Sequence, residues 1–117
     1  MAYIAVLVED LLFRSRIAET ARLTNASVRM VGTAEALREE ISREEPSMMI
    51  VDLNAGSATP AVIREIRAAH PALRIMGYVS HVQMALAAEG RAAGCDEVMP
   101  RSKFIQELAS LLPSLKS

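Results

Sequence analysis

The chain has 117 residues, 13 basic and 14 acidic, for a formal charge of -1; it is 51% hydrophobic but only 3% aromatic. That is the length of one domain with an aliphatic core, and the balanced charge provides no basic field for a nucleic-acid backbone. A lone cysteine, Cys95, excludes an internal disulfide, and no apolar stretch nears the roughly 20 residues a membrane helix needs.

Residues 3–8 (Tyr-Ile-Ala-Val-Leu-Val) form an uninterrupted apolar run, read as a strand buried on both faces, and Glu9 and Asp10 follow it directly. A helix is expected over 12–25, where charged Arg14, Arg16, Glu19 and Arg22 interleave with Leu12, Ile17, Ala18 and Ala21. A short strand at 28–31 ends at Gly32. Thr33 is placed to cap a helix over 34–44, with Ala34, Leu37 and Ile41 at helical spacing. The acidic run Glu39, Glu40, Glu44 and Glu45 reads as a solvated helix end.

Pro46 closes that helix and opens a third strand, 48–52, which carries Met-Met-Ile-Val into Asp52. The loop 54–59 is rich in small and turn-forming residues, with Thr59 a candidate cap and Pro60 suited to the first turn of a helix over 60–69. His70 and Pro71 end that helix. The fourth strand is 73–79, followed by Ser80, His81 and an Ala-rich helix over 82–93 that stops at Gly94. Cys95 sits at the turn into a fifth strand, 96–99. A last helix at 102–112 places Phe104, Ile105, Leu108, Leu111 and Leu112 on one stripe.

Five strands alternating with five helices predict an α/β fold of the doubly wound, flavodoxin-like kind. The expected sheet is parallel, in order 2-1-3-4-5, with helices on both faces. The ligand crevice of such a sheet lies beyond the carboxyl ends of the strands, at the switch point between the first and third. Glu9, Asp10 and Asp52 occupy those ends and are expected to meet there.

Converging carboxylates raise one another's pKa unless a cation intervenes. Hard oxygen ligands suit Mg²⁺, which takes one or two carboxylates, keeps waters and accepts phosphate oxygens. Cys95, His70 and His81 are too scattered for a zinc set. Ser80 adds a hydroxyl after the fourth strand and Arg101 a fixed positive charge after the fifth. Together these groups can hold a phosphoryl group on a carboxylate, with Asp52 as the nucleophile and Glu9 and Asp10 as metal ligands. Ser80 could also cap the helix over 82–93, and the two roles could coexist.

At these residues the chain resembles the response-regulator receiver domain, in an atypical, stand-alone form spanning 1–117 with no output domain. The resemblance rests on Val-Glu-Asp (8–10), Ile-Val-Asp-Leu-Asn (50–54), Tyr-Val-Ser (78–80) and Ala-Ala-Gly-Cys-Asp-Glu-Val-Met (92–99). It implies a phosphoacceptor domain rather than an enzyme in the usual sense, with Asp52 phosphorylated by a histidine kinase or phosphotransfer protein. Mg²⁺ would be held by Glu9, Asp10, Asp52 and the backbone carbonyl of Asn54. Ser80 would swing toward the phosphoryl group, and the face around the fourth helix would dock a downstream protein target. With neither a signal peptide nor a membrane span in view, a cytoplasmic location is expected. Weak self-association through residues 82–112 is expected as well.

The family's lysine falls on Arg101, which keeps the charge on a planar fork instead of a compact ammonium. Lys103 lies two residues beyond. The aromatic switch position falls on Val98, and His81 follows Ser80 where a small residue is usual. These departures favour the alternative of a pseudo-receiver, an interaction module that works without phosphorylation.

Overall fold

In the computed structural model, residues 3–112 are described, apart from 57, 59, 81 and 82. The elements alternate as β1 (Ile4–Leu7), α1 (Leu11–Thr24), β2 (Val28–Val31), α2 (Ala34–Arg43), β3 (Met48–Asp52), α3 (Pro60–Ala69), β4 (Arg74–Val79), α4 (Met84–Ala93), β5 (Glu97–Pro100) and α5 (Arg101–Leu111). The five strands form one parallel sheet in the order β2-β1-β3-β4-β5. This is the expected doubly wound fold.

The period-2 alternation of the strands sorts the core into two layers. Ala5, Leu7, Met49, Val51 and Ile75 pack with Leu37, Ile63 and Ala87 of α2, α3 and α4. Ile4, Val6, Met48, Ile50, Met76 and Tyr78 pack with Phe13, Ile17, Phe104 and Leu108 of α1 and α5. Because the central strands are buried on both faces, their sequences lack polar alternation and read as continuous apolar runs. Met48, Met49, Met76 and Met99 fill this aliphatic interior, as expected of the methionines, whereas Met84 is exposed.

Helix ends follow local chemistry. Thr33 caps α2 by accepting from the Ala36 N–H at 3.1 Å. Helix α1 stops at Asn25, whose left-handed conformation (φ 59°) is tolerated by its short polar side chain. Gly94 ends α4 at φ 137°, where a side chain would also strike Arg67 at 2.9 Å. The expected cap Thr59 lies outside the described residues.

The acidic run is less solvated than its sequence suggests. Arg29 pairs with Glu40 and Glu44, and His70 pairs with Glu45, tying α2 to its neighbours. At the amino end of the sheet, Arg67 of α3 donates to the carbonyls of Gly94, Leu73 and Pro71 and pairs with Asp96 at 2.8 Å. That guanidinium joins α3 to the entries of β4 and β5. No helix among the described residues is long and apolar enough to cross a membrane.

Candidate functional site

The parallel register brings four strand ends to one edge. Leu7 aligns with Val51, Asp52 with Tyr78, and Val79 with Pro100. Glu9 and Asp10, Asp52, Ser80 and Arg101 therefore issue from neighbouring strands onto the carboxyl edge. By alternation Asp52 shares the α1/α5 face with Ile50 and with Tyr78 beside it.

The three acids are held differently. Asp52 is only 3% exposed and is the one charged side chain that is buried among the described residues. Its Oδ1 accepts from the Asn54 N–H at 2.9 Å, closing a turn at the strand end. Burial pushes its carboxyl pKa up; the Asn54 N–H and Arg101 oppose this, and the charges of Glu9 and Asp10 reinforce it. Asp10 caps α1, Oδ1 accepting from Leu12 at 2.9 Å and Phe13 at 3.2 Å. Its Oδ2 lies 3.7 Å from Nη2 of Arg101. Glu9 accepts from the Gly56 N–H at 3.1 Å, tying the first loop to the loop after β3. The acids thus share an electrostatic neighbourhood, but among the described residues no three His, Cys, Asp or Glu are grouped so that they could hold a metal ion.

Arg101 is the first residue of α5, one position earlier than the helix expected from sequence. Its guanidinium lies 5.0 Å from the centre of the Phe13 ring. Phe13, Tyr78 and Phe104 form a stacked cluster, with Tyr78 4.8 and 4.7 Å from the two phenylalanine rings. The aromatic residues are few, and three of the four support this site. Lys103 is not part of it, since it pairs with Glu107 along the helix at 3.8 Å.

Ser80 is anchored through its N–H, which donates to Oδ1 of Asn54 at 2.7 Å, while Nδ2 of Asn54 donates to Gln83 at 3.0 Å. Asn54 therefore clasps the loops after β3 and β4 together. Ser80 does not cap the next helix: α4 starts at Met84, with Gln83 in the cap position and no side-chain cap bond. His81 lies outside the described residues.

Sequence reasoning missed one member of this site, Tyr78, and the side-chain role of another, Asn54. Tyr78 is fully buried, its hydroxyl has no partner among the described residues, and burial followed by the Asp52 charge pushes its phenol far up. Its even spacing from Ser80 and Met76 was a usable signal for the face it occupies. The side-chain clasp of Asn54 had no such signal, because its partners come from a loop 26 and 29 residues away. Behind the site, Val98 and Met99 help line a groove of ≈ 290 Å³ with Val79, Met84, Ala87 and Arg91.

No protein-family model and no curated protein matches the chain. Solved structures do match. The receiver domain of NtrX from Brucella abortus superposes with a TM-score of 0.82 at 18% identity, over 96% of each chain. A putative response regulator from Chloroflexus aurantiacus J-10-fl gives 0.84 at 16% identity, over 97% of this chain and 96% of that one. A CheY-like receiver domain protein from Methanospirillum hungatei JF-1 gives 0.79 at 11% identity, over 99% and 97%. Against a longer NtrX structure the chain spans only 27% of the length. The fold is that of the receiver domains of response regulators.

Proposed function

We propose that this chain is a receiver-type phosphoacceptor, in which Asp52 takes a phosphoryl group from a phosphohistidine on a histidine kinase or phosphotransfer protein. The observation that carries this reading is the buried carboxylate of Asp52 at the carboxyl end of β3, which feels both the charges of Glu9 and Asp10 and the fixed cation of Arg101. In the step itself, an Asp52 oxygen bonds to phosphorus as the phosphorus–nitrogen bond to the donor imidazole breaks. The departing imidazole takes a proton from solvent. Asp52 must be ionised to attack, and Arg101 favours that form. Arg101 and the Ser80 hydroxyl are assigned to the phosphoryl oxygens of the product.

The hard-oxygen donors Glu9, Asp10, Asp52 and the Asn54 carbonyl are of the kind Mg²⁺ takes, but among the described residues the acids are not gathered into a metal-holding group, and one Glu9 oxygen accepts from the Gly56 N–H. The ion, when bound, neutralises charge on the phosphoryl oxygens. Output is assigned to docking of a downstream protein through residues 82–112, with weak self-association by the same face, in the cytoplasm. The exposed Met84 and the apolar groove beside it support that assignment.

The second reading is a pseudo-receiver that binds partners without phosphorylation. It is favoured by the direct contact of Asp10 with Arg101 and by the small residue at Val98. Beryllofluoride with Mg²⁺ separates the two. On the first reading it shifts the amide resonances of residues near Asp52 and Ser80, and Asp52→Asn abolishes the response. An unchanged spectrum at millimolar metal and analogue leaves the pseudo-receiver.

A further inference from the structure

We propose that helix α1 is a self-docking surface, through which two copies of this chain pair α1 against α1, antiparallel, about a two-fold axis. The surface is separate from residues 82–112 and independent of phosphorylation at Asp52.

Among the described residues, the large hydrophobic side chains left exposed are Leu11, Leu12, Leu23 and Met84. The three leucines all lie on α1, at 74%, 82% and 70% exposure. The helix buries Phe13, Ile17 and Ala21 in the core layer it shares with α5 and the sheet. Its outer face carries Leu12, Arg16, Glu19 and Leu23, all exposed. Successive gaps of four, three and four residues keep them on one stripe. The stripe is apolar at both ends, charged in the middle and roughly 16 Å long.

The order of these four residues is self-complementary. Leu12 and Leu23 are symmetric about the middle of α1, between Ile17 and Ala18, and so are Arg16 and Glu19. An isologous contact sets one residue against a second and the second against the first. An antiparallel pair that seats Leu12 on the partner's Leu23 therefore sets Arg16 against the partner's Glu19, and the two-fold axis repeats both contacts. A parallel pair would set arginine against arginine and glutamate against glutamate, and like charges oppose it. Sliding one helix by a turn loses the leucine contacts and the ion pairs together. Charge and apolar pattern thus select one orientation and one register.

The charged groups are available for this. Arg16 enters no ion pair among the described residues. Glu19 holds Arg22 at 2.6 Å, but both side chains are solvent-exposed, at 57% and 68%, and one carboxylate accepts from more than one guanidinium. Helix α1 packs on the sheet face opposite α4, so a copy seated on α1 leaves the groove beside Met84 open to another protein.

One helix face of about three turns falls well short of the roughly 1,200 Å² of a stable interface, so the pair is weak, with a dissociation constant on the order of 0.1–1 mM. Sedimentation equilibrium of the intact chain up to about 1 mM should show it, with concentration-dependent amide shifts at Leu12, Arg16, Glu19 and Leu23. Arg16→Glu and Glu19→Arg should each weaken self-association on the order of tenfold, since two exposed ion pairs give way to two repulsions. Mixed together, these two single variants should pair with each other about as well as the unmodified chain, because each supplies the charge the other lacks. The double variant Leu12→Ser, Leu23→Ser should abolish pairing with helix content unchanged by circular dichroism, as both side chains are exposed.

A chain that stays monomeric at about 1 mM overturns the proposal, and the stripe then serves a different protein. So do concentration-dependent shifts confined to residues 82–112, charge-reversed variants that self-associate as tightly as the unmodified chain, or single variants that fail to pair with each other.

Discussion

Asp52→Asn should stabilise the folded protein at neutral pH. Burial of an ionised carboxylate costs several kcal/mol, about 4 after relaxation. A charge-assisted hydrogen bond returns about 1.5–3 kcal/mol, and Asp52 has one from Asn54 at 2.9 Å. Arg101 favours the charge while Glu9 and Asp10 oppose it, so these neighbours largely offset each other. The residue is left a net liability of about 1–2.5 kcal/mol when ionised. Asparagine keeps an oxygen for the Asn54 N–H and removes the charge. For a domain of this size that gain is roughly 4–10 °C in Tm.

The pH dependence gives the sharper check. Because the native carboxyl titrates above its ordinary value of 3.8, the native state holds this proton more tightly than the unfolded chain. Stability from Asp52 is therefore lost as pH rises from about that value through the raised native one, and the loss is constant above it. The advantage of Asp52→Asn should be largest at neutral pH and shrink toward zero near pH 4. Urea denaturation of both proteins across that range reads it directly. A variant no more stable at pH 7, or a difference that ignores pH, refutes the electrostatic reasoning.

Tyr78→Phe deletes a buried hydroxyl that has no partner among the described residues. It should leave stability unchanged or raise it by up to about 1 kcal/mol; a loss above about 1 kcal/mol by thermal denaturation would mean the hydroxyl is bonded in solution. Arg67→Ala strips hydrogen bonds from the carbonyls of Gly94, Leu73 and Pro71 and leaves Asp96 without its guanidinium. It should cost about 2–4 kcal/mol by urea denaturation, and a cost under about 1 kcal/mol would show that water replaces the guanidinium freely.

The fold was legible because its signals are local and redundant. Apolar runs at 3–8, 48–51 and 75–79 are punctuated by Pro46, Pro71 and Gly94, and alternation with helical patterns leaves one sensible sheet. The site was legible as a set of positions, since strand ends fix where Glu9, Asp10, Asp52, Ser80 and Arg101 emerge. What each side chain does there was not. Asp10 was read as a metal ligand although an aspartate immediately before a helix is also an N-cap signal, and the structure gives one oxygen to that duty. The Asn54 clasp and the Arg67 staple depend on carbonyls and amides supplied by distant loops, which no spacing rule reaches.

The same comparison shows where control of this site resides. A strand end fixes a Cα, but the charge on a long side chain can be placed several ångström away, and competition decides where it rests. Glu9 is held by the Gly56 N–H, Asp10 by its helix and by Arg101, and Asp52 by the Asn54 N–H. Every acid at the edge already has an internal donor or counter-charge. An incoming cation must therefore outbid existing bonds rather than fill a waiting cage. Of those bonds the Asp10–Arg101 contact is the longest, 3.7 Å against 2.9–3.2 Å for the others. The longest of these restraints on the acids is thus the one contributed by Arg101.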